Sequence, residues 1–221
     1  MNRKENVKKH AKKPTPWAAT KASQRNARRE TILRAATRCL NRLGYRGASM
    51  ALIAKELGLS YNALYHYFES KEEILVQAFL RTNGLLDGCI GAAAAAPGTG
   101  LDRLQTFVAA FQRLVADEEP PSLLLFTHLP KRRRLALVKR RESFVERLRA
   151  IVKAGTEDGS IRQCEPAVVV SFVLGALEGL NYGELMANPD ALSADLSAFV
   201  RHALANDPTR SQGAKGSLQA R

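Results

Sequence analysis

Cysteines, aromatic residues and acidic residues are all scarce in this chain of 221 residues. The three cysteines, Cys39, Cys89 and Cys164, are widely separated and form no CxxC pair. This excludes a zinc site or a disulfide framework and fits a reducing, cytoplasmic environment. No run of about 18 apolar residues occurs, so the sequence predicts no membrane span. The basic N-terminal segment is not followed by the apolar stretch of a secretory signal.

Motifs that support catalysis or cofactor binding are also missing. There is no GxSxG elbow, no HExxH pair and no glycine-rich phosphate loop, and the four histidines stand in unrelated contexts. A serine or cysteine nucleophile needs a base brought near it, and nothing in the sequence indicates such a base. We therefore expect a protein that is not an enzyme, with no catalytic residues, no metal and no cofactor.

Basic residues, in contrast, are abundant. The chain has 34 Lys and Arg against 21 Asp and Glu, a net charge of +13. Two segments hold most of the excess: residues 1–26 carry eight basic residues and one acidic residue, and residues 130–163 carry eleven and four. An excess of this size predicts a polyanionic partner, either nucleic acid or an anionic membrane surface.

Apolar residues recur at helical spacing along most of the chain, and no alternating strand pattern bounded by turns is found. The first predicted helix runs from about Arg28 to Leu43 and ends at Gly44. Residues 1–26 and 207–221 are expected to be a disordered basic arm and a disordered tail. Later helices are expected at about 101–118, 121–129, 131–155, 165–187 and 190–205. The predicted fold class is all-α.

Two short predicted helices form the motif that indicates function. Ser49 and Ser60 are suitable N-caps, Gly58 lies in the turn between the helices, and Ser70 caps a fourth helix. This pattern is typical of a helix-turn-helix, whose second helix enters the major groove of DNA. The outer side of that helix would carry Tyr61, Asn62, Ala63, Tyr65 and His66. A helical corner that binds nothing is the alternative, but two tyrosines, a histidine and a basic arm favour DNA.

The stretch from Arg29 to Phe79 resembles the DNA-binding domain of the TetR family of bacterial transcription regulators. The matching residues read I-A-x-x-L-G-L-S-x-x-A-L-Y-x-Y-F-x-S-K-E-E-I-L, from Ile53 to Leu75. The resemblance implies an all-α protein with an N-terminal three-helix helix-turn-helix domain, residues 27–87. A C-terminal helical ligand-binding and dimerisation domain, residues 88–206, would follow it. It also implies a homodimer that binds double-stranded operator DNA in the bacterial cytoplasm.

The resemblance also assigns the DNA contacts, position by position. Phosphate contacts fall to Ser49, Tyr65 and Lys71. Contacts with base edges fall to Tyr61, Asn62, Ala63 and His66. For His66, a solvated helix residue without a DNA contact is the alternative, and Asn62 departs from the Gly or Pro often found at its position.

The C-terminal half resembles the family through the run from Ala154 to Gly179, which is similar to the junction before the dimerisation helix. The preceding run L-P-K-R-R-R-L-A-L-V-K-R-R-E-S-F resembles a subgroup that controls sterol and fatty-acid breakdown and responds to acyl-coenzyme A thioesters. We therefore expect a small effector, either an apolar molecule or an acyl-coenzyme A thioester. The candidate ligand-binding residues are Phe107, Phe111, Phe126, Phe172, Leu177, Arg132, Arg133 and Arg134. A solvated helix face is the alternative for the arginines.

Gly175, Gly179 and Gly183 recur every four residues on one face of the predicted dimerisation helix. Each glycine costs about 0.8–1 kcal/mol of helix stability relative to alanine, so three in one stripe indicate the close approach of another helix. We expect the subunit contact here, and a face that packs against a ligand or within the protomer is the alternative.

The expected function is that of a sequence-specific DNA-binding regulator, a repressor released from its operator by the effector. The alternative is a DNA-binding nucleoid or division-associated protein of the same fold, without a small effector. An apolar cavity in the C-terminal domain would favour the repressor.

Overall fold

The structure is a computed structural model that describes residues 16–179 and 189–206. These residues form nine α-helices, and one isolated antiparallel bridge joins Ile161 to Ala205. The predicted all-α fold is therefore confirmed. The helices are α1 (Pro16–Gly47), α2 (Met50–Glu56), α3 (Tyr61–Tyr65), α4 (Lys71–Ala95), α5 (Gly100–Glu118), α6 (Leu123–Phe126), α7 (Lys131–Glu157), α8 (Pro166–Gly179) and α9 (Pro189–Leu204).

Three serine hydroxyls determine where helices α2, α3 and α4 begin. Each Oγ accepts a hydrogen bond from a backbone N–H three residues later, and all three bonds measure 3.1 Å. The serines are Ser49, Ser60 and Ser70. Such a bond satisfies an amide that has no partner within its helix. The three predicted N-caps are confirmed.

Helix α1 is much longer than predicted. It begins at Pro16 rather than near Arg28, and it continues to Gly47 past Gly44, where a backbone φ of 69° interrupts the helical geometry. The prediction of a disordered arm is therefore wrong for residues 16–26. Residues 1–15 and the predicted tail 207–221 lie outside the described residues. Residues 16–27 contain four alanines together with Lys21, Gln24 and Arg25, residues that favour a helix even without an apolar stripe.

The buried side chains form two cores. The first core contains apolar residues of α1, α2, α3 and the first half of α4, and the second contains those of α5, α8, α9 and the later turns of α4 and α7. The first core also contains Leu125 of α6, Leu129 in the segment before α7, and Leu137 of α7. The C-terminal region therefore contributes α6 and the start of α7 to the N-terminal core. Along α4 the buried residues change from the first core at Phe79 to the second core at Leu86, so the expected boundary at residue 87 stays a prediction that α6 and the start of α7 do not follow.

Charged groups join α1 to the end of α5 across this junction. The guanidinium of Arg81 on α4 pairs with Glu30 of α1 and with Glu118 of α5, and Arg34 of α1 pairs with the same Glu118 at 3.4 Å. The hydrogen bond from Arg81 holds the pKa of Glu118 below its ordinary value, so this carboxylate is charged at neutral pH.

Helices α5 and α7 approach each other closely where Gly100 begins α5 and Gly155 lies near the end of α7. A Cβ atom on Gly100 would lie 2.2 Å from the Gly155 amide nitrogen, and a Cβ atom on Gly155 would lie 2.5 Å from Ile161 Cδ1. Backbone atoms cannot yield at such distances as a flexible side chain does, so Gly100 requires the absence of a side chain. No local pattern in the sequence indicates this glycine contact.

Two negative findings concern the described residues. None of the nine helices is long and apolar enough to cross a membrane. No group of three His, Cys, Asp or Glu side chains in residues 16–179 and 189–206 is placed to hold a metal ion.

Candidate nucleic-acid interface

Helices α2 and α3 are joined by a short turn that fixes their relative orientation. Gly58 in this turn has a φ of 62°, a left-handed conformation that glycine adopts without strain. Leu64 of α3 is fully buried and Phe68, three residues beyond the helix, is 1% exposed. These two side chains attach one side of α3 to the first core, so the opposite side faces solvent.

The exposed side of α3 carries the predicted DNA-contacting residues. Tyr61 and Tyr65 are 52% and 39% exposed, and Asn62 and His66 are exposed beside them. Ala63 is half-buried, and Ser49, which caps α2, is exposed. The four large polar side chains of α3 therefore lie together on one short surface, as the helical spacing of the sequence predicts.

Tyr61 and Tyr65 form a pair across one turn of α3. The Tyr61 hydroxyl donates to the Tyr65 hydroxyl at 3.0 Å, and the ring centroids lie 4.6 Å apart. The hydrogen bond with Tyr61 raises the pKa of Tyr65, so this phenol stays protonated well above neutral pH. A phenol hydroxyl has one donor and two acceptor lone pairs, so Tyr65 can accept from Tyr61 and still donate to an acceptor such as a phosphate oxygen.

Lys71 has a structural role that the sequence analysis did not anticipate. Its ammonium group donates to the backbone carbonyl oxygens of Tyr45 at 2.6 Å and Ala48 at 2.9 Å, and it lies 4.3 Å from the centroid of the Tyr45 ring. These bonds tie the start of α4 to the segment that leads into α2. An ammonium has three donors, so one N–H is left for the predicted phosphate contact.

The structure separates the candidate ligand-binding residues into three groups. Phe107, Phe111 and Leu177 are buried together in the second core. Phe126 instead packs edge-on against Phe79, 5.4 Å between ring centroids, on the first core. Phe172 is 74% exposed on α8. Phe126 and Phe172 therefore do not share the interior of Phe107, because tertiary packing turns both side chains elsewhere, and a ligand contact for any of these residues stays a prediction.

The three candidate arginines lie in the first turn of α7. Arg132 and Arg133 are exposed and Arg134 is half-buried. Arg133 Nε lies 3.5 Å from Glu72 Oε1, an ion pair with the first turn of α4. Twelve residues separate Arg132 from Phe144, about 18 Å along the helix axis, and Phe144 lies 5.7 Å from Phe107 in the second core. The arginines and the buried aromatic rings therefore lie near different positions along the axis of α7.

Helices α8 and α9 present an apolar groove of about 340 Å³ on the protein surface. Its large exposed apolar side chains are Val168, Phe172 and Phe199, at 56%, 74% and 62%. The groove was not among the predicted sites, although α8 carries apolar residues on all its sides, a pattern that indicates burial beyond one face.

The predicted glycine stripe begins on the same helix. Gly175 is exposed and has no atom within 4 Å of the place where a Cβ would lie. It follows Phe172 by three residues and therefore shares its face of α8. Gly179 is the last residue of α8, and its surroundings, like Gly183, lie outside what the structure describes. No packing within the described part of the protomer explains Gly175.

Two family descriptions match the chain and together span more than half of it. Residues 32–78 match the family described as bacterial regulatory proteins, tetR family. Residues 97–182 match the family described as tetracyclin repressor-like, C-terminal domain. The first match contains the helix-turn-helix, and the second contains the region of α5 to α8.

Individual proteins are similar over most of the chain. The HTH-type transcriptional repressor KstR2 of Rhodococcus jostii (strain RHA1) is 29% identical over 155 residues, which cover 67% of this chain and 74% of the relative. The crystal structure of PfmR, a TetR family transcriptional regulator from Thermus thermophilus, has a TM-score of 0.68 and 28% identity, and covers 77% of this chain and 97% of its own. AibR in complex with isovaleryl coenzyme A and operator DNA has a TM-score of 0.66 at 20% identity, with coverages of 78% and 97%.

Proposed function

The chain belongs to the TetR family of bacterial regulatory proteins and is a DNA-binding transcriptional regulator; we propose that it is a homodimeric repressor that a small effector releases from its operator. The observation that carries this proposal is the exposed polar side of α3 opposite a fully buried Leu64. Such a helix presents hydrogen-bonding groups to a groove while the core holds it rigidly. Enzymatic activity is not part of this family's function.

On DNA, Tyr65 and Ser49 donate their hydroxyl protons to phosphate oxygens, which position α3 in the major groove. Asn62 and Tyr61 contact base edges, with Ala63 and His66 beside them. Asn62 is the side chain best suited to read a base pair, because its amide offers a donor and an acceptor to adenine.

The homodimer forms through the apolar groove of α8 and α9. Exposed apolar patches that contain Phe and Val side chains mark protein–protein contacts, and the most exposed groups here are Phe172 and Phe199. The open surroundings of Gly175 support a contact in which the partner's helix comes close to the α8 backbone. Two recognition helices in one dimer then read half-sites about one helical turn apart, or a multiple of that distance.

The effector is a small apolar molecule or an acyl-coenzyme A thioester. Phe107, Phe111 and Phe144 supply aromatic rings to the second core, and the Phe107 centroid lies 6.1 Å from that of Phe111 and 5.7 Å from that of Phe144. Arg132 and its neighbours, some 18 Å along α7, suit the planar, bidentate recognition of phosphate. A coenzyme A thioester carries phosphates at one end and an acyl group at the other, and the fold relative AibR binds isovaleryl coenzyme A.

The decisive experiment has two parts. Duplexes selected from a random pool by the full-length protein define the operator, and Asn62→Ala should relax discrimination at one base pair by about 1–3 kcal/mol. An exposed matched control, Lys55→Ala, should leave discrimination unchanged. Failure of the protein to select any sequence would contradict the assignment of α3 as a recognition helix.

The second part tests the effector. Isovaleryl coenzyme A, a long-chain acyl-coenzyme A, free coenzyme A and the free fatty acid are compared in thermal unfolding and in operator release. A ligand at 100 times its dissociation constant stabilises the folded state by about 2.7 kcal/mol, and it releases DNA only if it favours the unbound conformation. If none of these ligands acts and the protein occupies many chromosomal sites, the nucleoid-associated alternative is favoured.

A further inference from the structure

The N-terminal part of α1 extends well beyond the core that holds the rest of the helix. Among the α1 residues whose side chains the structure describes, the first buried one is Ile32, and Trp17 and residues 20–28 are all exposed. The helix begins at Pro16, so sixteen residues, about 24 Å of helix, precede the core. An isolated helical segment that buries no apolar face is only marginally stable in water. A partner outside the protomer that contacts this segment would therefore stabilise its helix.

One face of the extension is cationic. Trp17, Lys21, Arg25 and Arg29 follow one another at intervals of four residues and therefore form a single stripe. The Lys21 ammonium lies 5.2 Å from the centroid of the Trp17 ring. In the described part of the chain, no carboxylate pairs with Lys21 or Arg25. The charges of Lys21 and Arg25 are thus not neutralised by the described part of the protomer, whereas Arg29 pairs with Glu73.

This stripe runs directly to the end of the recognition helix. Arg29 is held by Glu73 at 3.1 Å and lies 4.4 Å from the centroid of the Phe68 ring. Tyr67, two residues after α3 ends at Tyr65, lines a cleft of about 400 Å³ together with the stripe residues Trp17, Lys21 and Arg25. The cleft therefore opens beside the surface that we assign to the major groove.

We propose that this cleft is a second DNA site, which binds the sugar–phosphate backbone that flanks each half-site. Lys21 and Arg25 contact phosphates, Trp17 orients Lys21, and Tyr67 links the cleft to α3. The inference rests on the proposed function, because the duplex is brought to the cleft by α3. Charge complementarity favours DNA over other partners: Lys21 and Arg25 are unneutralised and lie one helical turn apart, and a duplex bound by α3 is the polyanion nearest to them.

The test compares two duplexes selected from a random pool, one with long flanks and one trimmed to the two half-sites. The double variant Lys21→Ala/Arg25→Ala should lower the salt dependence of binding to the long duplex, by about 1.8 in the log–log slope for two phosphates. On the trimmed duplex the variant and the parent should have the same affinity. Alanine favours the helix at both positions, so circular dichroism should show no loss of helix.

Two controls keep the result specific. Arg113→Ala/Lys153→Ala removes the same charge from exposed positions of α5 and α7 and should leave both slopes unchanged. Lys21→Arg/Arg25→Lys keeps the charge and should behave as the parent. A parental slope for the double alanine variant on the long duplex, or an equal loss on both duplexes, would overturn the second site. If the parent selects no duplex at all, it is the proposed function that fails.

Discussion

The outer side of α3 and the groove of α8 and α9 both expose aromatic rings, but the chemistry at their edges differs. On α3, Tyr61 and Tyr65 end in hydroxyl groups and stand beside Asn62 and His66. In the groove, Phe172 and Phe199 are more exposed than either tyrosine and carry no polar atom. An aromatic ring with a polar tip functions well at a wet, charged surface, whereas a bare hydrocarbon ring is stable only when another apolar surface covers it.

The kind of partner that an exposed side chain indicates depends on its neighbours. A large exposed side chain is informative when its neighbours are considered as well: hydrogen-bonding neighbours suit a polyanionic groove, and apolar neighbours suit a second copy of the chain. The following predictions test whether the two surfaces are as different as this comparison requires.

The largest effect is expected from a charge in the apolar groove. Phe172→Asp places a carboxylate where the proposed dimer excludes water, and an uncompensated buried charge costs about 3–5 kcal/mol, in both copies of a symmetric dimer. The variant should be monomeric in sedimentation velocity at micromolar concentration and should lose most operator affinity. Phe172→Leu, which keeps an apolar side chain, should remain dimeric. A dimeric aspartate variant would show that the groove is not the interface.

A somewhat smaller effect is expected from Lys71, and it distinguishes a structural role from a contact with phosphate. Lys71→Met keeps the aliphatic stem but removes two charge-assisted hydrogen bonds to Tyr45 and Ala48, so we expect a loss of about 2–3 kcal/mol in the free energy of unfolding. Lys55→Met, on the exposed side of α2, should change stability little. The measurement is urea unfolding, followed by a salt series on DNA. An unchanged unfolding curve with a reduced salt slope would place Lys71 on phosphate rather than in the fold.

Gly175 on α8 tests whether the groove surface is the subunit contact. Gly175→Leu adds bulk to the face shared with Phe172, and overpacking of a close contact costs about 1–3 kcal/mol per site. Gly88 offers a matched control, because it is also helical, exposed and without atoms within 4 Å of a Cβ. Gly88→Leu should leave the dimer intact, whereas Gly175→Leu should raise its dissociation constant in sedimentation equilibrium. Identical behaviour of the two variants would place Gly175 outside the interface.

The smallest effect is expected from a single hydroxyl on α3. Tyr65→Phe retains the ring but removes one hydrogen-bond donor, which contributes about 0.5–1.5 kcal/mol. Operator affinity should fall by several-fold, with dimerisation and base preference unchanged. Fluorescence anisotropy with a labelled operator measures the change. A loss of base discrimination in this variant would mean that Tyr65 contacts a base edge instead of a phosphate.

Local features of this fold were predictable because they depend on neighbours in sequence. The caps at Ser49, Ser60 and Ser70 each involve a hydrogen bond over three residues, so a short pattern determines them. The exposed row on α3 follows from the helical repeat once Leu64 is assigned to the core. Both features depend on the residue order and little on the rest of the chain.

Other features depended on contacts between distant segments. Phe107, Phe126 and Phe172 all lie in predicted helices, and tertiary packing is what gives the three different surroundings. The contact of Gly100 with Gly155 joins residues far apart in the sequence. Lys71 shows the same limit at the site itself, since its two acceptors are carbonyl oxygens whose position the sequence does not reveal.

The shared first core has a consequence for how regulators of this type can be recombined. An exchange of DNA-binding regions between two such proteins, cut at residue 87, would leave Leu125, Leu129 and Leu137 facing a core that did not evolve with them. A hybrid that also carries residues 123–137 would keep these partners together. The transferable unit is thus discontinuous in the sequence, and new specificity is acquired more safely by point changes on the outer side of α3 than by transplanting the whole N-terminal region.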